Sequence, residues 1–169
     1  MNKHSAITAI AIIAIIIPFA YSLMNVHAAD QLRYKWDEPG KFSFFELSNS
    51  NVIELCNTAQ YAADFKRLSI DILYRDENLG TYTIDNIRLD GSGSKIEKGK
   101  FVADNFIESQ HMFMTMDFQF DGGDMRVDPA KLFVIVSIDT PIIGIIPHTT
   151  TTQYSGFEFD QLMNQDFEC

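Results

Sequence analysis

The sequence predicts a small, mainly β domain, an antiparallel β-sandwich of about seven or eight strands with one packed helix, behind a single apolar helix. Three observations carry this expectation. The 19 residues from Ala6 to Met24 contain no charged side chain. Most of the remaining chain alternates apolar with polar residues, the pattern of strands that bury one face. Between those segments stand RDENLG, DGSGS, DGGD and DTP, rich in the residues that form turns.

The chain divides near residue 28. Residues 1–28 read as a membrane anchor or a signal peptide, and residues 29–169 as one domain outside the cytoplasm. At ~1.5 Å per residue the apolar run spans roughly the ~30 Å hydrocarbon core. Pro18 is tolerable in such a helix. A signal peptide would use Lys3 as its positive end and Val26-His27-Ala28 as the small-residue approach to cleavage before Ala29. The run is longer than a signal core needs, which puts the retained single-pass anchor ahead of secretion after cleavage. Arg33 and Lys35 follow on the far side, so the positive-inside rule does not fix the orientation.

Lys3 is the only charged residue of the first 28, and the remainder carries 12 basic against 23 acidic side chains, a net charge of −11. Such a surface repels nucleic acid, whose binding rests on Lys and Arg neutralising phosphates.

Candidate strands, from which about eight are expected, run in order along the domain: RYKW, KFSFFEL, NVIELCN, KRLSIDILYR, GTYTIDNIRL, KIEKGKFVA, KLFVIVSID, IIGII and TTTTQYSGF. The clearest are KRLSIDILYR and KLFVIVSID, in which Ile70, Ile72, Val134 and Val136 are expected to face inward. In the second, Phe133 and Ile135 make the other face apolar too, as if it were covered on both sides. ADNFIESQHMFMTMDFQF is expected to be the helix, over about 104–119, capped by Asp104 and presenting Phe106, Phe113, Met116 and Phe120 to the sheet. A tail, 158–169, keeps Phe159, Leu162, Met163 and Phe167 and so packs back on the domain.

The order of these pieces resembles a known family. LCNTAQYAADFKRLSIDILYRDENLGTYTI holds an Asn-bearing strand, then Phe-x-x-Leu-x-Ile-x-Ile-x-Tyr, then a turn into Leu-Gly; VIVSIDTPIIGIIP follows the helix. Over roughly residues 40–157 this is similar to the group-two late embryogenesis abundant domain, also called the water-stress and hypersensitive-response (WHy) domain, as carried by archaeal membrane-anchored proteins. The resemblance implies an immunoglobulin-like sandwich with one helix, no catalytic residues, and a part in stress protection or extracytoplasmic binding. Asn57 matches the first Asn of the family's Asn-Pro-Asn signature, and Thr58 stands where its Pro would be.

Few residues point to chemistry. The four histidines have no zinc-ligand spacing. Asp121, Asp124 and Asp128 crowd the loop DGGDMRVD, and oxygen ligands on a flexible loop are what calcium takes. The order of an EF-hand is missing, and Asp and Gly are also what a helix-to-strand turn needs. GSG at 91–93 reads as a hairpin turn. Met112, Met114 and Met116 are either core filling or an adaptable binding surface, with core filling favoured. Tyr34 and Trp36 fit a first strand or a membrane-interface belt. Cys56 and Cys169, the only cysteines, are expected to form a disulfide, because an exported chain is oxidised.

The function these readings support is a membrane-tethered or exported binding or protective module without catalysis or cofactor. Its expected partners are the membrane, through the helix, and an unidentified protein or small-molecule ligand. The alternatives are a sandwich hydrolase using paired carboxylates and a calcium-dependent surface module.

Overall fold

The computed structural model describes residues 3–49, 52–124 and 127–169. Asn51 of the NVIELCN segment and Met125-Arg126 of the acidic loop lie outside the described residues. Among these, eight strands form two antiparallel sheets. In chain order the elements are α1 (Lys3–Asp30), β1 (Leu32–Trp36), α2 (Phe44–Ser48), β2 (Val52–Asn57), β3 (Ala63–Tyr74), β4 (Glu77–Leu89), β5 (Gly93–Lys98) and β6 (Lys100–Val102). There follow α3 (Phe106–Phe120), a 3-10 turn at Pro129–Lys131, β7 (Leu132–Asp139), β8 (Thr149–Ser155) and α4 (Gly156–Met163).

The larger sheet has the order β6-β4-β3-β7-β8, the smaller β1-β2-β5. β3 is the centre. Its Ile70 stands opposite Tyr82 of β4 and Val136 of β7, and Ile72 opposite Val134. All five side chains are buried, as strict alternation on one face requires. The expected register therefore holds, with Asp71 on the other face accepting a hydrogen bond from the Thr81 hydroxyl. Phe133 and Ile135 are half-buried on the outer side of β7.

Three strand expectations are corrected. KFSFFEL contains α2 instead of a strand, because Ser43 caps it and Asp117 holds the freed backbone donors of Phe44 and Phe45 at 2.8 and 2.9 Å. KIEKGKFVA is two strands in different sheets. The chain crosses at Gly99, where a Cβ would run into the Tyr82 ring and where the Gly99 N–H donates to the Tyr82 hydroxyl at 2.7 Å. IIGII is the tip of the β7–β8 hairpin, pinched by one bridge between Ile142 and Ile146. The tail begins with a helix, α4, started by a capping box of Ser155 and Glu158.

The expected helix is present as α3, one residue out of phase at its start, since Asn105 and not Asp104 is the cap. It buries Phe113 and Met116, with Phe120 partly covered; Phe106 is 43% exposed. With α2 and α4, the described residues of the domain form three α-helices where one was expected. They meet in an aromatic cluster in which Phe44 packs within about 6 Å of Phe42, Phe113, Phe120 and Phe159.

Candidate functional site

Two features of the molecule stand apart from ordinary core packing, and they lie toward opposite ends of β3. The first is the junction between α1 and the sandwich. The apolar part of α1 is bare: Ile7, Ile10, Ile15 and Ile17 are each more than 60% exposed. Its last two turns are built into the domain, with Ser22, Asn25, Ala28 and Ala29 buried. Only Gln31 separates the helix from β1, and its backbone carbonyl accepts from the Thr58 hydroxyl.

The fastening is polar and directional. Ser22 Oγ donates to the Pro18 carbonyl one turn back, a common habit of helical serine, and accepts from the Ile143 N–H at 2.7 Å. Asn25 Oδ1 accepts from the Asp64 N–H at 3.1 Å, and the Tyr21 hydroxyl donates to the Asp64 carboxylate. Between α1, the ends of β3 and β4 and the β7–β8 turn lies an open cleft of about 560 Å³. Pro18, Tyr21, Lys66, Arg88, Ile143 and Gly144 are among its walls. Arg88 is 3.7 Å from Asp64, so the cleft carries one balanced ion pair and one further cation, Lys66.

The second feature is the outer face of α3. Ile107, His111, Met114 and Phe118 recur at helical spacing, and all four are exposed, Ile107 at 70%. Phe157 of α4 is exposed too, and it packs against Phe120 at the end of α3. Of the three methionines, Met116 fills the core, Met112 is partly buried and Met114 belongs to this outer stripe.

The acidic residues serve the fold. Asp117, half-buried on α3, accepts from Ser43 Oγ and from the Phe44 and Phe45 N–H groups. Burial raises its pKa, and those hydrogen bonds pull in the opposite direction. Asp160 on α4 is pushed up to about 6, first by burial and then by the charge of Asp117. Of the calcium candidates, Asp121 caps the end of α3 and Asp128 starts the 3-10 turn by accepting from Ala130 N–H. Asp124 is exposed. Among the described residues no three His, Cys, Asp or Glu side chains converge as metal ligands.

Cys56 and Cys169 are bridged, with Cα atoms 5.5 Å apart. The bridge draws the tail across the outer face of β1 and β2. There Phe167 lies under the Arg33 guanidinium at 3.8 Å, and its carbonyl accepts from Lys35 Nζ at 2.9 Å. Lys35 is buried and also reaches Glu54, its cross-strand neighbour, at 3.4 Å. Tyr34 and Trp36 point the other way, into the core, as members of β1. Asn57 is buried: its amide donates to the carbonyls of Tyr61 and Asp90 and accepts from the Ala59 N–H, tying β2 to the β4–β5 turn.

No protein-family model matches this chain, and no curated protein matches it in sequence. The geometry therefore stands by itself. Sequence reasoning missed the junction, although Tyr21, Ser22, Asn25 and Ala29 already share one helical face of an otherwise apolar run. It also missed α4, although Ser155-Gly-Phe-Glu158 is a capping-box pattern.

Proposed function

We propose that this protein is a single-pass, membrane-tethered, extracytoplasmic module that binds a partner and performs no catalysis. The observation that carries the reading is the polarity of the molecule. At one end an apolar helix of mean hydropathy 2.4 is left bare over its first turns and locked into the sandwich over its last. At the other, α3 presents an apolar stripe. The length and composition of the helix fit a membrane span or a signal sequence alike. Retention is supported by the burial of Ala28 and Ala29 on both sides of the bond that a signal peptidase would cut. An outside location is supported by the disulfide, since such bridges persist in oxidising compartments.

The absence of catalysis is supported by how the acidic groups are employed. Asp117 and Asp160, both with pKa values raised first by burial, sit among helix caps, and Asp117 already accepts three hydrogen bonds. The WHy-type resemblance favours the same class of function, a protective or binding sandwich.

Photo-crosslinking tests the binding half. A benzophenone amino acid placed at Ile107 or Met114 of the full chain, in native membranes, should give discrete adducts. The same probe at Ile96, exposed on β5, is the control. Adducts no more frequent from α3 than from Ile96 would remove this face from the account.

A further inference from the structure

The tip of the β7–β8 hairpin is built from residues that a water-exposed turn does not need. Thr140 to Pro147 reads TPIIGIIP, without a charge. Ile143, Ile145 and Ile146 are exposed, Ile145 at 81%. Two tip residues have positive φ, Ile143 at 54° and Gly144 at 73°. Glycine takes that conformation freely, and Asn or Asp tolerate it; a β-branched residue there is a genuine outlier. An isoleucine kept at a strained turn position points to a use for its side chain, and observed strain of this kind clusters where function is.

The position of the tip says what the use is. Ile143 N–H is bonded to Ser22 Oγ, and Ile143 and Gly144 share the junction cleft with Pro18, one helical turn nearer the N-terminus. Ser22 lies two residues, ~3 Å along the helix axis, inside the end of the apolar run that closes at Met24, before the polar Asn25 and His27. A helix whose Ala6–Met24 stretch fills the hydrocarbon core thus carries the hairpin tip at the depth of the membrane boundary, turned toward the apolar side.

We infer that the Ile142–Ile146 hairpin tip is a second membrane contact, seated in the leaflet beside α1. This rests on the reading of α1 as a retained span. Tip and helix together make two points of attachment joined by a hydrogen bond, which fixes the tilt of the sandwich on the bilayer. The cleft between them brings Lys66 and Arg88 to the level of the lipid phosphates, where cations with long stems sit well.

Depth-dependent quenching tests it on the full chain in lipid vesicles. The native cysteines are bridged to each other, so a cysteine introduced by Ile145→Cys is the sole free thiol and can carry an NBD fluorophore. Ile145 and Ile146 are exposed, so the second variant, Ile146→Cys, also leaves the core untouched. Ile13→Cys reports on the span and Ile96→Cys on the water-facing domain. The inference expects blue-shifted emission at 145 and 146, quenched more by a spin label high on the acyl chain than by one at its end. Quenching at 13 with water-like emission at 145 and 146 overturns the second contact and leaves the anchor standing. Water-like emission at 13 as well overturns the anchor, and the hairpin contact with it.

Discussion

The two ends of the chain are fastened to the same sandwich by different chemistry. The C-terminal end is closed within the protein: a disulfide to β2, a buried Lys35 holding the Phe167 carbonyl, and an arginine stacked on the Phe167 ring. At the N-terminal side, α1 is fastened over its last turns by Ser22, Asn25 and Tyr21, and among the described residues Ile7, Ile10, Ile15 and Ile17 stand mostly exposed. The difference lies in what each segment packs against: the tail finds its partners on the sandwich, whereas the bare helix has the length and composition of a membrane span or a signal sequence.

Opening the C-terminal fastening should produce the largest loss. The bridge closes a loop across 113 residues of sequence, for which chain entropy gives ~4–5 kcal/mol before strain. Cys169→Ser should lower the denaturation midpoint accordingly, whereas a midpoint within about 1 kcal/mol of the parent would show that the tail is held by Lys35 and Phe167 alone. As an internal standard, Ile72→Ala in the fully buried centre of β3 should cost ~2–5 kcal/mol. Asp71→Asn, one residue along on the other face, should stay within ~0.5 kcal/mol. Equal losses at the two positions would mean that the faces of β3 are exchanged.

That standard also marks how far the sequence could be read. β3 and β7 were legible because alternation by itself dictates which face is buried. KFSFFEL has the apolar content of a strand, yet it is helical over Phe44–Ser48: Ser43, followed three residues later by Glu46, is its local cap, and Asp117, more than 70 residues away, takes the Phe44 and Phe45 N–H groups. The cap pattern was there to be read, whereas the contribution of Asp117 is written in no local pattern. IIGII is apolar enough for a strand, and it is a turn because nothing stands opposite to pair with it beyond its own two ends. The disulfide was legible from compartment logic, whereas the stacking of Phe167 on Arg33 depends on where the bridge draws the tail.

A smaller effect separates the two fastenings further. Ser22→Ala removes the acceptor of the Ile143 N–H and should cost ~1–2 kcal/mol in a detergent melt of the full chain. Cys169→Ser should add to it independently, because the two sites share no partner. A large coupling between them would contradict the picture of separate fastenings.

The smallest effect is a pH slope beside the C-terminal end. Asp160 has its folded pKa raised to about 6 from an ordinary 3.8. The folded state therefore binds more protons, and this contribution to stability is full below pH ~4 and is lost as pH rises through 6. Asp160→Asn should flatten that part of the profile. At pH 7 the gain should be about 1 kcal/mol or less, because the group is only partly buried and solvent screens it. An unchanged slope would place the titration elsewhere.

The most direct test of the central claim, that the bare helix stays attached because it is part of the folded domain, is the N-terminus of the mature protein. Trypsin cuts after Lys3 and after Arg33, with no site between them. Protein extracted from native membranes should yield the peptide of residues 4–33, carrying the whole apolar run across the Ala28–Ala29 bond. Recovery instead of a peptide beginning at Ala29 would contradict the account.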